Sequence, residues 1–348
     1  MKEKKPCALL INDIHVSKDN ISDFQTNWDE ALDVCKSNDI STIIVGGDMW
    51  QSRSAQTLAT LLSVKQALLK ATQQDIELIL AEGNHDKCDQ ESLLGYNHLF
   101  VGLQNIEVVD DFTIWDISDS VTLYVMSYFP EQGSFVEKLD AVREDMDSSR
   151  TNILYIHEGI NGGLSTPSDD ELPASIFKDF DAVLVGHYHD RKKIDGTCIE
   201  YIGASRQHNF GEDEEKGYTI LYTDGSYQFV KNKVNTRFKV IDIFDINELN
   251  EDLFEVIKNI KAKGQYRLKL RINCQSKQVS TIDKQMLIDM GVTKVELVTE
   301  QTKIKLTESQ SIDKKFDKSG IKEEYKNFCS EKSISNIEMG LKYLDKIH

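Results

Sequence analysis

Along the first 190 or so residues, short unbroken apolar runs alternate with longer stretches of helical period. The runs fall at residues 7–11, 42–45, 76–81, 153–156 and 182–185 and are rich in Val, Ile and Leu. A run of that length and composition predicts a strand buried on both faces, because a strand with one wet face alternates. Between the runs, residues 21–36 place Phe24, Trp28, Leu32 and Cys35 on one helical face. Residues 55–71 do the same with Leu58, Leu61, Leu62, Val64, Leu68 and Leu69, and residues 135–146 form a shorter third case. Strand–helix alternation predicts an α/β architecture. After residue 189 the pattern changes to hairpins: 198–203 alternates, and 218–222 and 227–230 flank an Asp224-Gly225 turn. Two layers of strand between helices are expected.

Beyond a polar stretch at 232–236, the pattern reads as strand 238–244, helix 248–262, strand 266–274, helix 281–290 and strand 294–299. This predicts a compact βαβαβ unit too small to hold a site of its own. The expected domains are therefore 1–232 and 236–306, followed by a polar connection over 307–318 and a helical tail over 319–348. In the tail, Ile321, Tyr325 and Phe328 line one helical face, and Ile337, Leu341 and Leu344 line a second, with Ser335 as its N-cap.

Composition narrows the class. The 348 residues are 40% hydrophobic, enough for a core, and suit two domains or one with an appendage. No apolar stretch approaches the roughly 18 residues of a membrane span. The basic start, Met1-Lys-Glu-Lys-Lys-Pro6, precedes an apolar run shorter than a signal-peptide core and is read as leading into the first strand of a cytoplasmic protein. Six scattered cysteines (Cys7, Cys35, Cys88, Cys198, Cys274 and Cys329) without a CxxC pair fit reduced thiols. The net charge is −17, yet residues 1–230 carry 18 basic against 40 acidic side chains and residues 231–348 carry 23 against 18. An acidic surface is a poor footprint for DNA. Any nucleic-acid contact should lean on the C-terminal part, on bound metals or on a partner chain.

The apolar runs share one further property: each ends in residues able to bind a metal. They are Asp13 and His15, Asp48, Asn84 with His85 and Asp86, His157, and His187 with His189. Sites in open α/β sheets form at the carboxyl ends of strands. Five strands are thus expected to bring Asp13, His15, Asp48, Asn84, His157, His187 and His189 to one rim. Mixed Asp, His and Asn donors suit Mn²⁺, Fe²⁺ or Zn²⁺ better than Ca²⁺. Seven donors are too many for one ion and suit two ions sharing a bridge. Of eight histidines, His98, His208 and His348 lie outside these motifs and are read as ordinary core or surface residues. The acidic run 212–215 is read as a solvated loop.

Asp13-Ile-His15, Gly47-Asp48, Gly83-Asn84-His85-Asp86, His157 and Gly186-His187-Tyr-His189, in that order, resemble the calcineurin-like metallophosphoesterase superfamily. The resemblance implies a four-layer fold, two β-sheets flanked by helices, with two divalent ions. Asp48, after two glycines, is the natural bridge. Asp13, His15 and His189 would complete one ion, and Asn84, His157 and His187 the other. Mn²⁺ is the expected metal, with Fe²⁺, Mg²⁺ or Zn²⁺ as alternatives. In the family, the histidine matching His85 acts at the leaving oxygen, a role worth about 10²–10⁴ in rate. Asp86 is read as structural.

Protein phosphatases of the superfamily carry an Arg where Glu82 stands here, and a carboxylate in that place would repel a dianionic phosphate, so the resemblance points away from a phosphomonoester. Tyr201-Ile-Gly-Ala-Ser205, Phe210-Gly-Glu212, Glu215-Lys-Gly-Tyr218, the small α/β unit and the tail instead resemble SbcD-type nuclease subunits of bacterial and phage recombination and repair complexes. That likeness implies DNA as substrate, an SMC-like coiled-coil ATPase (SbcC type) docked by residues 319–348, and a homodimer formed near the apolar helix 55–71. One departure stands at Gln51, where archaeal and eukaryotic relatives carry His. Arg53 is a candidate for holding a strand backbone. Two other readings are a small-molecule or nucleotide phosphodiesterase, favoured by the acidic surface, and a silent scaffold, disfavoured by the complete donor set.

Overall fold

The computed structural model describes residues 4–164 and 171–299, together with positions 325, 326, 328, 329, 337, 340 and 341. The chain divides into two compact units, Met1–Phe238 and Lys239–His348. In the first, β1 (Pro6–Ile11), α1 (Ile21–Asn38), β2 (Thr42–Gly46), α2 (Leu58–Thr72) and β3 (Glu77–Ala81) alternate as expected. They are followed by β4 (Ile106–Val109), β5 (Phe112–Ser118), β6 (Val121–Met126), α3 (Phe135–Glu144), β7 (Thr151–His157), β8 (Ala182–Gly186), β9 (Lys192–Lys193), β10 (Ile199–Tyr201), β11 (Gly217–Tyr222) and β12 (Tyr227–Lys231).

These strands form two six-stranded sheets, β12-β11-β1-β2-β3-β4 and β5-β6-β7-β8-β10-β9. In the first, β1 to β4 run parallel; in the second, β6, β7, β8 and β10 do. Successive residues of each central strand serve two different cores. Ile43 and Val45 of β2 join Phe24, Trp28, Val64 and Leu68 beneath α1 and α2. Ile44, between them, joins Ile153, Tyr155 and Leu184 in the layer between the sheets. On the far side, Leu154, Ile156 and Val183 pack with Phe135, Leu139 and Val142 of α3. The order is helix, sheet, sheet, helix, and it explains why these strands read as unbroken apolar runs: neither face is wet. The single rim expected from an open sheet is corrected to one shared by two sheets, since β1, β2 and β3 belong to one and β7 and β8 to the other. The strands β4, β5 and β6, unmarked by any motif, were not anticipated.

Residues 232–236 are not a loose connection. Asn232 and Asn235 are buried. Asn235 Oδ1 accepts from Asn27 Nδ2 at 2.9 Å, and Thr236 Oγ1 donates to Asp23 Oδ1 at 3.0 Å, so the stretch is fastened to α1. The second unit is built from β13 (Arg237–Ile243), α4 (Glu251–Ala262), β14 (Tyr266–Asn273), α5 (Lys284–Asp289) and β15 (Lys294–Val298), with sheet order β13-β14-β15. Its β14 alternates cleanly: Leu268, Leu270 and Ile272 are buried with Ile257 and Leu287, while Lys269 and Arg271 point away from that core. Most of the tail expected over 319–348 lies outside the described residues. Among the described residues no helix is long and apolar enough to cross a membrane. On α2, Leu58 and Leu62 remain exposed.

The layer between the sheets should be the most sensitive part of the first unit. Leu184→Ala, in a fully buried position, is expected to cost about 2–5 kcal/mol. Leu62→Ser, on an exposed face, should stay within about 0.5 kcal/mol. Urea denaturation of the two variants checks both.

Candidate metal centre

The loops that leave β1 and β2 continue to pair after the strands end. Asp13 N donates to Gly47 O at 3.1 Å, His15 N to Asp48 O at 2.9 Å and Val16 N to Met49 O at 2.8 Å. This pairing forces an unusual backbone. Asp13, His15 and Asp48 have φ of 52°, 50° and 53°, and His187 after β8 has 88°. Left-handed φ is uncommon outside glycine, and four such residues at one rim mark a site where strain is held in place by its surroundings. Gly47 shares the conformation at φ 103°, and a Cβ there would stand 2.6 Å from His157 Nδ1. Only glycine lets this loop pass beneath the histidine.

Asp13 and Asp48 are buried, at 0% and 2% exposure. Asn12 steers Asp13: its Nδ2 donates to Asp13 Oδ2 and to Gly203 O at 3.0 Å, and its Oδ1 accepts from Tyr155 OH at 2.9 Å. His187 N donates to both Asp13 oxygens at 3.2 Å. Asp48 Oδ1 accepts from His85 N at 2.8 Å. Asp86 fastens the two loops together, Oδ1 accepting from Trp50 N at 3.0 Å and Oδ2 from Gly83 N at 2.7 Å.

The ring partners set the histidine tautomers, because a carbonyl or carboxylate oxygen can only accept. His157 Nδ1 donates to Gly46 O at 3.0 Å, which leaves its Nε2 3.3 Å from Asp48 Oδ2. His189 Nδ1 donates to Glu212 Oε1 at 2.8 Å, which leaves its Nε2 3.1 Å from His15 Nε2. His85 Nδ1 donates to the Gln51 carbonyl at 2.8 Å, with its ring edge-on to His15. His187 lies 5.4 Å from His157, ring to ring.

These donors fit a pair of cations. His157 Nε2 and Asn84 Oδ1 are buried with no hydrogen-bond partner. The donor atoms of Asp13, Asp48 and His157 lie within 4.8 Å of one another, as do those of His15, Asp48 and His85. Lone pairs converging on buried carboxylates call for positive charge between them. The titration of the site points the same way. Burial drives His15 and His187 down to about 3, the latter helped by His157. Burial also disfavours charge on His157, yet Asp48 and Asp13 outweigh it and lift the ring to about 9.

These contacts link Asp13, His15, Asp48, His157, His187 and His189 at the rim, with His85 beside them, and Asn84 precedes His85 with its Oδ1 buried. Three readings of the sequence change. His208 is no ordinary surface histidine: Nε2 donates to Asp13 O at 2.7 Å, and its ring lies 5.0 Å from His15 and 4.9 Å from His189. Glu212 is not a solvated acid, since it orients His189; the Phe210-Gly-Glu212 motif was its only signal. Glu82 does not face a substrate. It is fully buried, its Oε1 accepts from Asn97 N at 2.9 Å, and burial, aided by Asp86, pushes its carboxyl up to about 9. Arg53 stands on the surface.

The chain belongs to the calcineurin-like phosphoesterase family, which residues 8–191, more than half its length, match; it is a metal-dependent phosphoesterase. Among curated proteins it is similar to the SbcD subunit of the nuclease SbcCD from Staphylococcus saprophyticus, 23% identical over 269 residues that cover 68% of this chain and 69% of that one. It is also similar to the SbcD subunit of the nuclease SbcCD from Staphylococcus epidermidis, 25% identical over 255 residues, covering 64% of this chain and 66% of that one. The chain thus spans about two thirds of the length of these relatives. Among solved structures, Pseudomonas putida nuclease MPE is 16% identical, with 62% of this chain and 84% of that chain covered and a TM-score of 0.29, too low to carry an argument.

Asp86→Ala should strip two buried backbone donors of their acceptor and cost roughly 2–6 kcal/mol at 1–3 per orphaned group. Thermal and urea unfolding of the metal-free protein measure the loss.

Proposed function

We propose that this chain is the nuclease subunit of a DNA-processing complex, hydrolysing phosphodiester bonds with two divalent ions and working with an SMC-like coiled-coil ATPase in recombination or repair. The observation that supports the reading is the clustering of Asp13, His15, Asp48, His85, His157 and His189 on one rim, in a chain similar to the SbcD subunits of SbcCD nucleases. Asp48, with Oδ2 near both His15 and His157, is the carboxylate that would be shared by both ions. Asp13, His15 and His189 would hold one ion, and Asn84, His157 and His187 the other. When bound, the ions place Lewis-acid charge on the phosphate and lower the pKa of water at the site. Mn²⁺ suits this donor set.

The chain's own residues do the rest. Asn84 is neutral, so it holds its ion without cancelling charge needed at the phosphate. His85 Nδ1 donates a hydrogen bond to the Gln51 carbonyl, so the doubly protonated ring would give its Nε2 proton to the leaving oxygen and end as the neutral Nδ1–H tautomer. The backbone of position 51 thus sets the direction of His85, and the side chain there need not be histidine. The acidic first unit leaves the basic surface for DNA to the C-terminal part and the partner, with residues 319–348 as the docking element.

A second reading, hydrolysis of a nucleotide or small phosphodiester, is favoured by one observation: a cavity of about 550 Å³ lies beside the site, lined by His187, Tyr188, His189, Lys192 and Asn209. Linear duplex DNA and a cyclic or dinucleotide phosphodiester, each offered with Mn²⁺, separate the two. Preferred turnover of duplex DNA is expected, and turnover of the small substrate alone would sink the nuclease reading.

Asp48→Asn should abolish hydrolysis of either substrate while the fold survives. His85→Gln should slow DNA hydrolysis by about 10²–10⁴-fold yet bind two ions per chain. Loss of an ion in the His85 variant would move that residue into the ligand set. Truncation at residue 318 should leave cleavage of a chromogenic phosphodiester unchanged and abolish pull-down of a coiled-coil ATPase; equal pull-down by both chains would place the docking surface elsewhere.

A further inference from the structure

The loop after β10 carries a set of contacts that the donor assignment does not use. Three consecutive carbonyls of the strained Asp13 turn are each taken by a side chain. His208 Nε2 donates to Asp13 O at 2.7 Å. Arg206 Nη2, on a buried side chain, donates to Ile14 O at 2.8 Å and to His15 O at 3.2 Å. Asn20 Nδ2 donates to His15 O at 2.8 Å. The same loop sets the orientation of His189 through Glu212 Oε1, while Glu212 Oε2 accepts from His208 N at 2.9 Å. His208 and Glu212 therefore brace each other and, between them, brace Asp13 and His189, while Arg206 and Asn20 hold the His15 carbonyl.

The loop is itself anchored. Gln207, 1% exposed, donates from Nε2 to Glu212 O at 2.8 Å and to Phe238 O at 2.9 Å, and accepts at Oε1 from Phe238 N at 2.8 Å. Phe210 packs edge-on against Phe238 at 5.2 Å. Neighbouring residues of the loop face opposite ways: 206, 208 and 212 toward the donors, 207 and 210 toward Phe238. On the other half of the site, His157 is oriented by the Gly46 carbonyl, and no hydrogen bond among the described residues links His208 or Glu212 to Asn84, His157 or His187.

We propose that the loop 206–212 is a positioning element for one ion of the pair, the one held by Asp13, His15 and His189, and that His208 is its principal positioning residue. The inference rests on the two-ion reading above. The physical reason is that donors with left-handed backbone stay in register only while their carbonyls are held. A metal-bound histidine also binds best when its other nitrogen is fixed, and removing such outer partners lowers metal affinity by about 10–100-fold. His208→Ala removes a donor to the turn; His208→Gln keeps one, because Gln Nε2 can reach the carbonyl that His Nε2 reached.

The test is Mn²⁺ titration of the full chain by calorimetry, with free Mn²⁺ followed by electron paramagnetic resonance. Wild type should bind two ions. His208→Ala should weaken one of them about 10–100-fold and leave the other unchanged, and His208→Gln should restore most of that affinity. If His208→Ala does not fold, Glu212→Gln serves in its place and should weaken the same single ion. Equal weakening of both ions, or failure of His208→Gln to restore binding, would show general damage and overturn the proposal. Two ions of unchanged affinity in every variant would overturn it alone. A wild-type chain that binds fewer than two ions would overturn the two-ion reading and this inference with it.

Discussion

Two carboxylates, Asp13 and Asp48, are held out of water where the first sheet meets the second, and the rest of the site answers the cost of keeping them there. An ionised carboxylate in a dry interior is unstable unless positive charge and hydrogen-bond donors surround it. The second sheet supplies the nearest partner, His157 at the end of β7, whose ring the two carboxylates bias toward its protonated form against the effect of burial. The same ring ties the sheets together by donating to Gly46 O on β2. Stability and chemistry thus share one arrangement. A divalent ion held there would meet the same electrostatic demand with more charge.

The strand ends carry the strain. Four of the seven donors have left-handed backbone, each a conformation that costs of order 1–3 kcal/mol. They persist because the strands behind them are buried on both faces and cannot shift, and because the loops cross-pair: Asp13 with Gly47, His15 with Asp48. The four-layer fold is in this sense a rigid frame for a small, strained rim. The Asp86 carboxylate works from behind, clipping the Asp48 loop to the Gly83 loop.

Much of this was legible in the sequence because burial on both faces leaves a plain mark. The central strands β1, β2, β3, β7 and β8 read as apolar runs, and the donor at the end of each followed directly. The helices α1 and α3 and the β11–β12 hairpin were legible from period and turn residues. The strands β4, β5 and β6 were not: β5 is only partly buried along its length, and β6, though buried throughout, ends in no motif that would draw notice. Residues 232–236 looked like a connection because they are polar, yet their amides serve buried hydrogen bonds to α1. His208 and Glu212 escaped for a related reason. A loop has no period, so nothing in its local pattern shows that it folds back over a turn some 195 residues earlier, the separation of His208 from Asp13. Glu82 misled in the opposite direction, since position beside a motif suggested exposure to substrate where the chain turns it inward.

The charge balance remains the feature that most shapes how such a site would meet DNA. With the first 230 residues strongly acidic, bound ions would be the main positive charge at the rim, and affinity for a polyanion would have to come from outside this segment. The central claim is narrower and can be tested without DNA: that Asp48 sits between two ions. Anomalous diffraction from crystals grown with Mn²⁺ measures it most directly. The account predicts two peaks about 3.5–4 Å apart, one beside Asp13, His15 and His189, the other beside Asn84, His157 and His187, with Asp48 touching both. A single peak, or a pair that leaves Asp48 without contact to one of them, would contradict it.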